Sequence, residues 1–162
     1  MSSRVYIETT VVSYLTARAM RDVIQLARQA ATEQWWREQG PKSELYVSEL
    51  VVVEAAQGDA EASKRRLDVL AAISRLPITD EVVVLAKRLM SAHALPTNAE
   101  DDALHVSLAA VHGMDVLLTW NCRHIANVIA MPKIRATIEQ AGYDSPTITT
   151  PEDLLASMGE RS

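Results

Sequence analysis

The sequence is poor in cysteine and in aromatic residues. Its 162 residues include one cysteine, Cys122, and no phenylalanine, and aromatic residues make up 4% of the chain. A single cysteine excludes an internal disulfide and a four-cysteine zinc site. With so few aromatic side chains, we expect a core built from Val, Leu, Ile, Ala and Met.

Long hydrophobic runs are also absent. No stretch of about 18 consecutive apolar residues occurs, so no membrane-spanning helix is predicted. Glu8, Thr9 and Thr10 interrupt the first apolar stretch, which argues against a signal peptide. We therefore expect a cytoplasmic protein that makes no contact with a membrane.

The chain has no excess of basic residues. It contains 16 Lys and Arg against 21 Asp and Glu, for a net charge of -5, whereas proteins that coat nucleic acid are usually basic. This balance does not exclude an enzyme that holds nucleic acid through metal ions. The charge is also uneven: residues 95–115 contain four acids and no Lys or Arg, while residues 18–28 and 61–66 are basic.

Short apolar runs alternate with helical patterns along the whole chain. Strands are predicted at residues 5–7, 45–47, 73–78, 116–119 and 147–149. Helices are predicted at residues 17–39, 49–56, 61–71, 80–90, 99–112 and 132–142, and from residue 151 onward. The predicted N-caps are Ser48, Thr79, Asn98 and Thr150. Strands separated by helices predict a single α/β domain over residues 1–162, with a parallel sheet and helices on both faces.

Four polar residues stand near the predicted ends of strands or the starts of helices. They are Glu8, Glu54, Asp102 and Asn121. Ligands of parallel α/β sheets collect beyond the carboxyl ends of the strands. Three carboxylates with an amide form a set of hard oxygen ligands that suits Mg²⁺ or Mn²⁺ rather than zinc. Without a cation, the three acids would repel one another.

Each of these residues also has an ordinary structural interpretation. Glu8 is a possible helix cap, Glu54 a possible surface residue of a helix, and Asn121 a turn residue. Asp102 can stabilise a helix through its position in the first turn. His105 shares a helical face with Asp102, and a structural histidine is the interpretation we favour over a base or a metal ligand. The metal hypothesis depends on all four polar residues together.

Four segments resemble, in order, the sequence motifs of PIN-domain nucleases. They are residues 6–12, 48–59, 102–109 and 117–125. The first is an apolar strand that ends in an acid followed by Thr. The second is a Ser with a Glu six positions later and a Gly one turn further on. The third is an acid that begins an apolar helix, and the fourth is a strand that ends in Thr with Asn two residues on. The resemblance covers roughly residues 4–155.

The resemblance implies a three-layer α/β/α sandwich with a short-stranded, mainly parallel sheet. It implies a metal-dependent ribonuclease that hydrolyses RNA phosphodiester bonds with Mg²⁺ or Mn²⁺. Many bacterial relatives are VapC-type toxins of toxin–antitoxin pairs, so a small antitoxin protein is an expected partner. The same relatives favour a homodimer.

The resemblance also assigns roles to residues. Glu8 and Asp102 are the expected direct metal ligands, Glu54 binds the metal directly or through a water, and Asn121 positions a water or binds weakly. Three threonines are expected to orient these groups through hydrogen bonds. They are Thr9, Thr10 and Thr119.

Two positions depart from the family pattern. The first acid is usually Asp, and here the longer Glu8 stands in its place. The fourth position holds Asn121, an amide that adds no negative charge. These departures keep open a second hypothesis, a catalytically weak or inactive PIN-like module that binds RNA or a protein. A third hypothesis is an unrelated small α/β protein whose acids serve only as residues at helix starts.

Overall fold

The computed structural model describes residues 2–159, and within this range five strands form one parallel sheet. The strands are β1 (Arg4–Ile7), β2 (Glu44–Ser48), β3 (Ser74–Leu76), β4 (Val116–Leu118) and β5 (Thr147–Thr149). Their spatial order is β3-β2-β1-β4-β5, and every neighbouring pair is parallel. The α/β prediction is therefore confirmed. Residue 1 and residues 160–162, which the predicted domain includes, lie outside the described residues.

Helices cover both faces of the sheet. They are α1 (Thr9–Thr16), α2 (Val23–Glu38), α3 (Glu49–Ala55), α4 (Ala60–Leu70), α5 (Asp80–Ser91), α6 (Glu100–Val111), α7 (Met131–Gln140) and α8 (Pro151–Gly159), with a short 3-10 turn at Gly40–Lys42. The main helix contacts form two groups, one of α1 to α4 with α8 and one of α5 to α7. This is the expected three-layer α/β/α sandwich. No helix within residues 2–159 is both long and apolar enough to span a bilayer.

The central strand β1 shows why the layers are arranged in this way. Its residues Val5, Tyr6 and Ile7 are each at most 1% exposed. Consecutive strand residues point to opposite faces, so both faces of β1 must be covered. The core is mainly aliphatic, as the composition predicts, although Tyr6, Trp35 and Trp120 are also buried in it.

Three of the four predicted N-caps are confirmed. Ser48, Thr79 and Thr150 accept hydrogen bonds from backbone amides in the first turns of α3, α5 and α8. The prediction for Asn98 is wrong, because Ala99 occupies the cap position of α6 and no side chain caps that helix. The acids in the first turn of α6 interact favourably with the helix dipole without such a cap.

The start of the predicted helix at residues 17–39 is wrong. Helix α2 begins only at Val23, because Asp22 accepts a hydrogen bond from the amide of Gln25 at 3.0 Å and so caps it. An additional helix, α1, lies before it and was not predicted. The β-branched residues at its start have low helix propensity, but two of them, Val11 and Val12, are fully buried against the core.

Candidate active site

Glu8 occupies the carboxyl end of the central strand. It directly follows β1, and its backbone amide donates to the carbonyl of Leu118 in the neighbouring strand β4 at 3.1 Å. Its side chain is buried and accepts hydrogen bonds from the hydroxyl of Thr10 and from the hydroxyl of Thr119, the latter at 2.6 Å. The amide of Thr10 donates to the second carboxylate oxygen at 3.2 Å. The carboxylate of Glu8 is therefore held in one orientation.

Glu54 lies in α3 and faces the same end of the sheet. Its Oε1 accepts a hydrogen bond from the hydroxyl of Thr9 at 2.6 Å and lies 2.6 Å from Nε2 of His105. Burial is the largest single influence and raises the pKa of Glu54. The hydrogen bond and the charge of His105, with the hydrogen bond from Thr9, outweigh burial and lower the pKa of this carboxyl overall. Glu54 is thus an ionised carboxylate at neutral pH.

His105 connects Glu54 to a buried chain of hydrogen bonds. Its Nδ1 lies 2.7 Å from the hydroxyl of Tyr6, which lies 2.8 Å from Oγ of Ser48. Oγ of Ser48 accepts from the amide of Val51 at 3.2 Å. Burial raises the pKa of Tyr6 well above its usual value, so its phenol stays neutral. Both ring nitrogens of His105 therefore have partners inside the protein.

The charge around His105 shows that the three predicted acids lie on one side of the molecule. Burial alone lowers the pKa of this imidazole, but the hydrogen bond to Glu54 and the charges of Glu8, Glu54 and Asp102 raise it overall. Across residues 2–159, no Lys or Arg forms an ion pair with any of the three acids. The site is therefore a concentration of negative charge whose protein counter-charges are limited to histidines.

Asp102, in the first turn of α6, has its own partners. Its Oδ1 accepts from Nδ2 of Asn121 at 3.0 Å, and its Oδ2 lies 2.8 Å from Nδ1 of His124. Asn121 in turn accepts from the amide of His124 at 3.0 Å. The backbone amide of Asn121 donates to the hydroxyl of Thr119 at 2.9 Å. Because Thr119 also donates to Glu8, one hydroxyl connects the two halves of the site.

One group of side chains has the spacing of a metal site. Among residues 2–159, Glu8, Glu54 and His105 form the one group of three potential ligands whose ligating atoms all lie within 4.8 Å of one another. Two carboxylate oxygens beside an imidazole nitrogen are compatible with a divalent ion. Asp102 is outside this group, and Asn121 and His124 engage both of its oxygens.

Sequence reasoning found the acids but missed most of the groups that hold them. His105 was assigned a structural role without a partner, and Tyr6, Ser48 and His124 were given no place in the site. The i, i+3 spacing of Asp102 and His105 was the one usable signal for the histidine. The three predicted threonines do lie beside the acids, with Thr9 on Glu54 and Thr10 and Thr119 on Glu8.

Comparisons with known proteins place this geometry in context. The family model of the PIN domain matches residues 5–126. The VapBC2 structure from Rickettsia felis, bound to a DNA fragment from its promoter, has a TM-score of 0.58 and 12% identity, and the match covers 91% of this chain and 98% of that one. The Mycobacterium tuberculosis toxin VapC20, described as cleaving the sarcin–ricin loop, has a TM-score of 0.59 and 12% identity, with 86% and 95% covered. At this identity both show similarity of fold alone. No curated protein sequence matches the chain.

Proposed function

The chain belongs to the PIN domain family, and from that premise we propose that it is a metal-dependent endoribonuclease and the toxin of a toxin–antitoxin pair. The observation that carries the proposal is the gathering of Glu8, Glu54 and Asp102 around His105 with no Lys or Arg counter-ion among the described residues. The acids repel anions unless a cation is bound, so a phosphodiester group placed directly against them requires one.

The residues present fit a divalent ion. Glu8 and Glu54 would hold it, with His105 beside them and Asp102 as a further ligand once Asn121 or His124 gives up its hydrogen bond. A bound Mg²⁺ or Mn²⁺ would supply the Lewis acidity that activates water and stabilises the charge developing at the phosphate.

The protein's own residues fix the acids and keep them ionised. Thr10 and Thr119 hold Glu8, while Thr9 and His105 hold Glu54 as a carboxylate. Such partners prevent the ligands from rotating away and commonly contribute about 10–100-fold to metal affinity or activity.

Asn121 and His124 orient Asp102 at the outer side of the site. The ring nitrogen of His124 that does not face Asp102 has no partner within residues 2–159, so it is free to donate a hydrogen bond to a phosphate oxygen. The chain itself therefore offers one donor to an anion beside its acids.

A second candidate function is a PIN-like module that binds RNA or a protein and cleaves poorly. The specific observation in its favour is that both oxygens of Asp102 are already engaged by Asn121 and His124. If these hydrogen bonds persist, only Glu8 and Glu54 remain as carboxylate ligands. Fewer carboxylates mean weaker binding of a hard cation.

The assembly of the protein is also part of the proposal. We expect a single PIN domain over residues 1–162, a small antitoxin protein as its partner and a homodimer in solution. The similarity of fold to VapBC2 and VapC20 supports the toxin role.

The decisive experiment measures cleavage of a broad panel of RNAs with Mg²⁺, with Mn²⁺ and with EDTA. We expect cleavage with either ion and none with EDTA. Asp102→Asn should reduce the rate by about 100-fold or more, in the range typical of a lost electrostatic group at a reacting phosphate. Asp101→Asn is the matched control, because Asp101 is the exposed neighbour of Asp102 and loses the same charge.

Either of two outcomes would contradict the ribonuclease proposal. Cleavage that persists in EDTA or in Asp102→Asn would arise from another source. Absence of cleavage across the panel, with RNA binding retained, would support the binding module.

A further inference from the structure

A cleft opens beside the site on the side of His124. It has a volume of about 520 Å³ and is lined by the chain between α5 and α6, the turn after β4 and the start of α7. The lining residues lie within residues 93–97, 123–127 and 129–133. His124 lines the cleft and also binds Asp102. A ligand in the cleft is therefore next to the acids.

The cleft is basic in a chain whose net charge is -5. His93, Arg123 and Lys133 line it, and no Asp or Glu is among its lining residues. All three side chains are exposed. None of them forms a side-chain hydrogen bond or an ion pair with any other residue in the range 2–159. Three cationic or hydrogen-bonding side chains are thus available to an anionic ligand.

A second cleft also contains cationic side chains, but these have partners within the protein. It is lined by Arg18, Arg65 and Arg66 together with acidic residues. Arg18 pairs with Glu61 at 3.0 Å, and the other two arginines donate to backbone carbonyls, Arg65 to that of Thr16 at 3.0 Å. Arg65 and Arg66 are therefore less available to a ligand than the cations of the first cleft. The exposed pair of Arg18 with Glu61 is weak, but it places an acid beside that arginine.

The remaining walls of the first cleft indicate how a nucleic acid would be recognised. They are small or aliphatic, with Ala94, Leu95, Pro96 and Ile129 among them, and no Phe, Tyr or Trp ring lines the cleft. Single-strand binding proteins hold bases by stacking them on aromatic rings. Without such rings, the contacts available here are to phosphate groups, which carry no sequence information.

We propose that this cleft binds the sugar–phosphate backbone of single-stranded RNA beside the scissile bond, with Arg123 and Lys133 each neutralising one phosphate. This inference rests on the proposed ribonuclease function and deepens it. The cleft gives affinity and positions the strand next to Asp102, but it does not select the bases bound there. Selection of a target then depends on other parts of the protein.

The test is a binding measurement in EDTA, where cleavage is absent. A fluorescent single-stranded RNA of about 12 nucleotides and mixed sequence is titrated with protein, and its anisotropy is followed at several salt concentrations. The test variant is Arg123→Gln with Lys133→Gln. The control is Lys42→Gln with Arg75→Gln, which removes two exposed cations distant in the fold, one in the 3-10 turn before β2 and one in the edge strand β3.

We expect the test variant to bind RNA about 25-fold more weakly near 0.1 M salt, because each lost phosphate contact is worth about fivefold there. The slope of log K against log salt should fall in magnitude by about 1.4, or about 0.7 per contact. The control variant has the same net charge and should change affinity by less than about twofold. The single variant Arg123→Gln should show half of the change in slope, which keeps the test valid if the double variant folds poorly.

Several outcomes would overturn the proposal. One is an equal loss of affinity in the test and control variants, which would indicate a general charge effect. Another is a change seen with RNA but not with single-stranded DNA of the same sequence, which would assign the contacts to 2′-hydroxyls instead of phosphates. A third is an acidic peptide that depends more strongly on Arg123 and Lys133 than RNA does, which would identify the cleft as a protein-binding site.

The experiments distinguish a wrong assignment of RNA binding to the cleft from a wrong assignment of ribonuclease activity to the protein. If RNA binding in EDTA depends on the cleft but no RNA is cleaved with Mg²⁺ or Mn²⁺, the cleft stands and the ribonuclease function fails. If RNA is cleaved and the test variant leaves both KM and the binding affinity unchanged, the ribonuclease function stands and the cleft fails.

Discussion

Two histidine–carboxylate pairs lie in this site, and they differ in burial and in the number of partners of each histidine. In the inner pair, His105 with Glu54, the histidine is 1% exposed and both ring nitrogens have partners. In the outer pair, His124 with Asp102, the two side chains are 23% and 20% exposed, and one ring nitrogen of the histidine has a partner within residues 2–159.

The differences in burial and hydrogen bonding indicate what each pair does in the protein. A buried imidazole with both nitrogens engaged cannot turn toward a ligand without leaving Tyr6 or Glu54 unsatisfied, and such groups are costly to bury. The inner pair is therefore a support that fixes Glu54. The outer pair faces the basic cleft and can exchange a hydrogen bond for a ligand at small cost, because water is close. Stability should depend on the first pair and substrate handling on the second.

Substitution of His105 disrupts the inner pair and should cost the most stability. His105→Ala leaves the hydroxyl of Tyr6 and the carboxylate of Glu54 without their partner and creates a cavity. We expect the free energy of unfolding in urea to fall by about 3 kcal/mol or more. His93→Asn is the control, since His93 is exposed, its side chain has no partner in residues 2–159 and Asn tolerates its positive φ of 57°, and it should change stability by less than about 0.5 kcal/mol. A loss below about 1 kcal/mol for His105→Ala would remove the distinction between the pairs.

Substitution of His124 in the outer pair should affect RNA cleavage more than stability. His124→Ala should lower the free energy of unfolding by less than about 1 kcal/mol, because its partner Asp102 remains solvated. RNA cleavage should fall by about 10–100-fold, because His124 orients Asp102 and offers its second ring nitrogen to a phosphate oxygen. If this variant loses as much stability as His105→Ala and no more activity, the outer pair is a structural support as well.

A smaller change tests the far end of the inner chain of hydrogen bonds. Tyr6→Phe removes the hydroxyl between His105 and Ser48 while the ring stays in the core. We expect a loss of about 1–2 kcal/mol in the free energy of unfolding, because Nδ1 of His105 is left without a partner and Oγ of Ser48 loses one of its two. Tyr14→Phe is the control, because the hydroxyl of Tyr14 makes no hydrogen bond in the described residues, and its effect should be near zero. Equal effects of the two substitutions would show that the inner chain contributes nothing.

The smallest effect is a dependence on pH. The folded protein raises the pKa of His105 above its value in the unfolded chain, so the charged imidazole stabilises the fold below about pH 6.5, and this contribution is lost as the pH rises through the folded value. The difference in free energy of unfolding between the wild type and His105→Gln should therefore shrink as the pH rises above about 6.5. The pKa of Glu54 is shifted in the opposite direction and acts in a different pH range. Its lowered pKa stabilises the fold at neutral pH, and this stability is lost only in acid, below about pH 4.5. A difference that grows with pH would contradict this assignment.

The strands and most helices could be predicted from the sequence because their signals are local. Continuous apolar runs such as residues 116–118 indicate buried parallel strands, and Ser48, Thr79 and Thr150 bind amides only three residues away. Helix α1 could not be predicted in the same way. Its β-branched residues favour a strand, and burial of Val11 and Val12 against the core overrides that preference.

In the candidate site too, local features could be predicted from the sequence and long-range contacts could not. Glu8 was recognisable because it ends an apolar strand, and the carboxyl ends of parallel strands meet at one edge of the sheet. Ser48 was recognisable as a cap, but its contact with Tyr6, 42 residues away, was not. The association of Asp102 with Asn121 and His124 was equally hidden, because it joins α6 to the turn after β4.

The order of strands and helices and the positions of the acids at their ends follow from local patterns, because these features depend on hydrogen bonds and hydrophobic periodicity within a few residues. The pairing of each histidine with its acid depends instead on how distant segments pack together. His105 meets Glu54 across 51 residues and Tyr6 across 99. These contacts form when α3 and α6 pack on the sheet and exclude water, so that the polar groups must pair with one another.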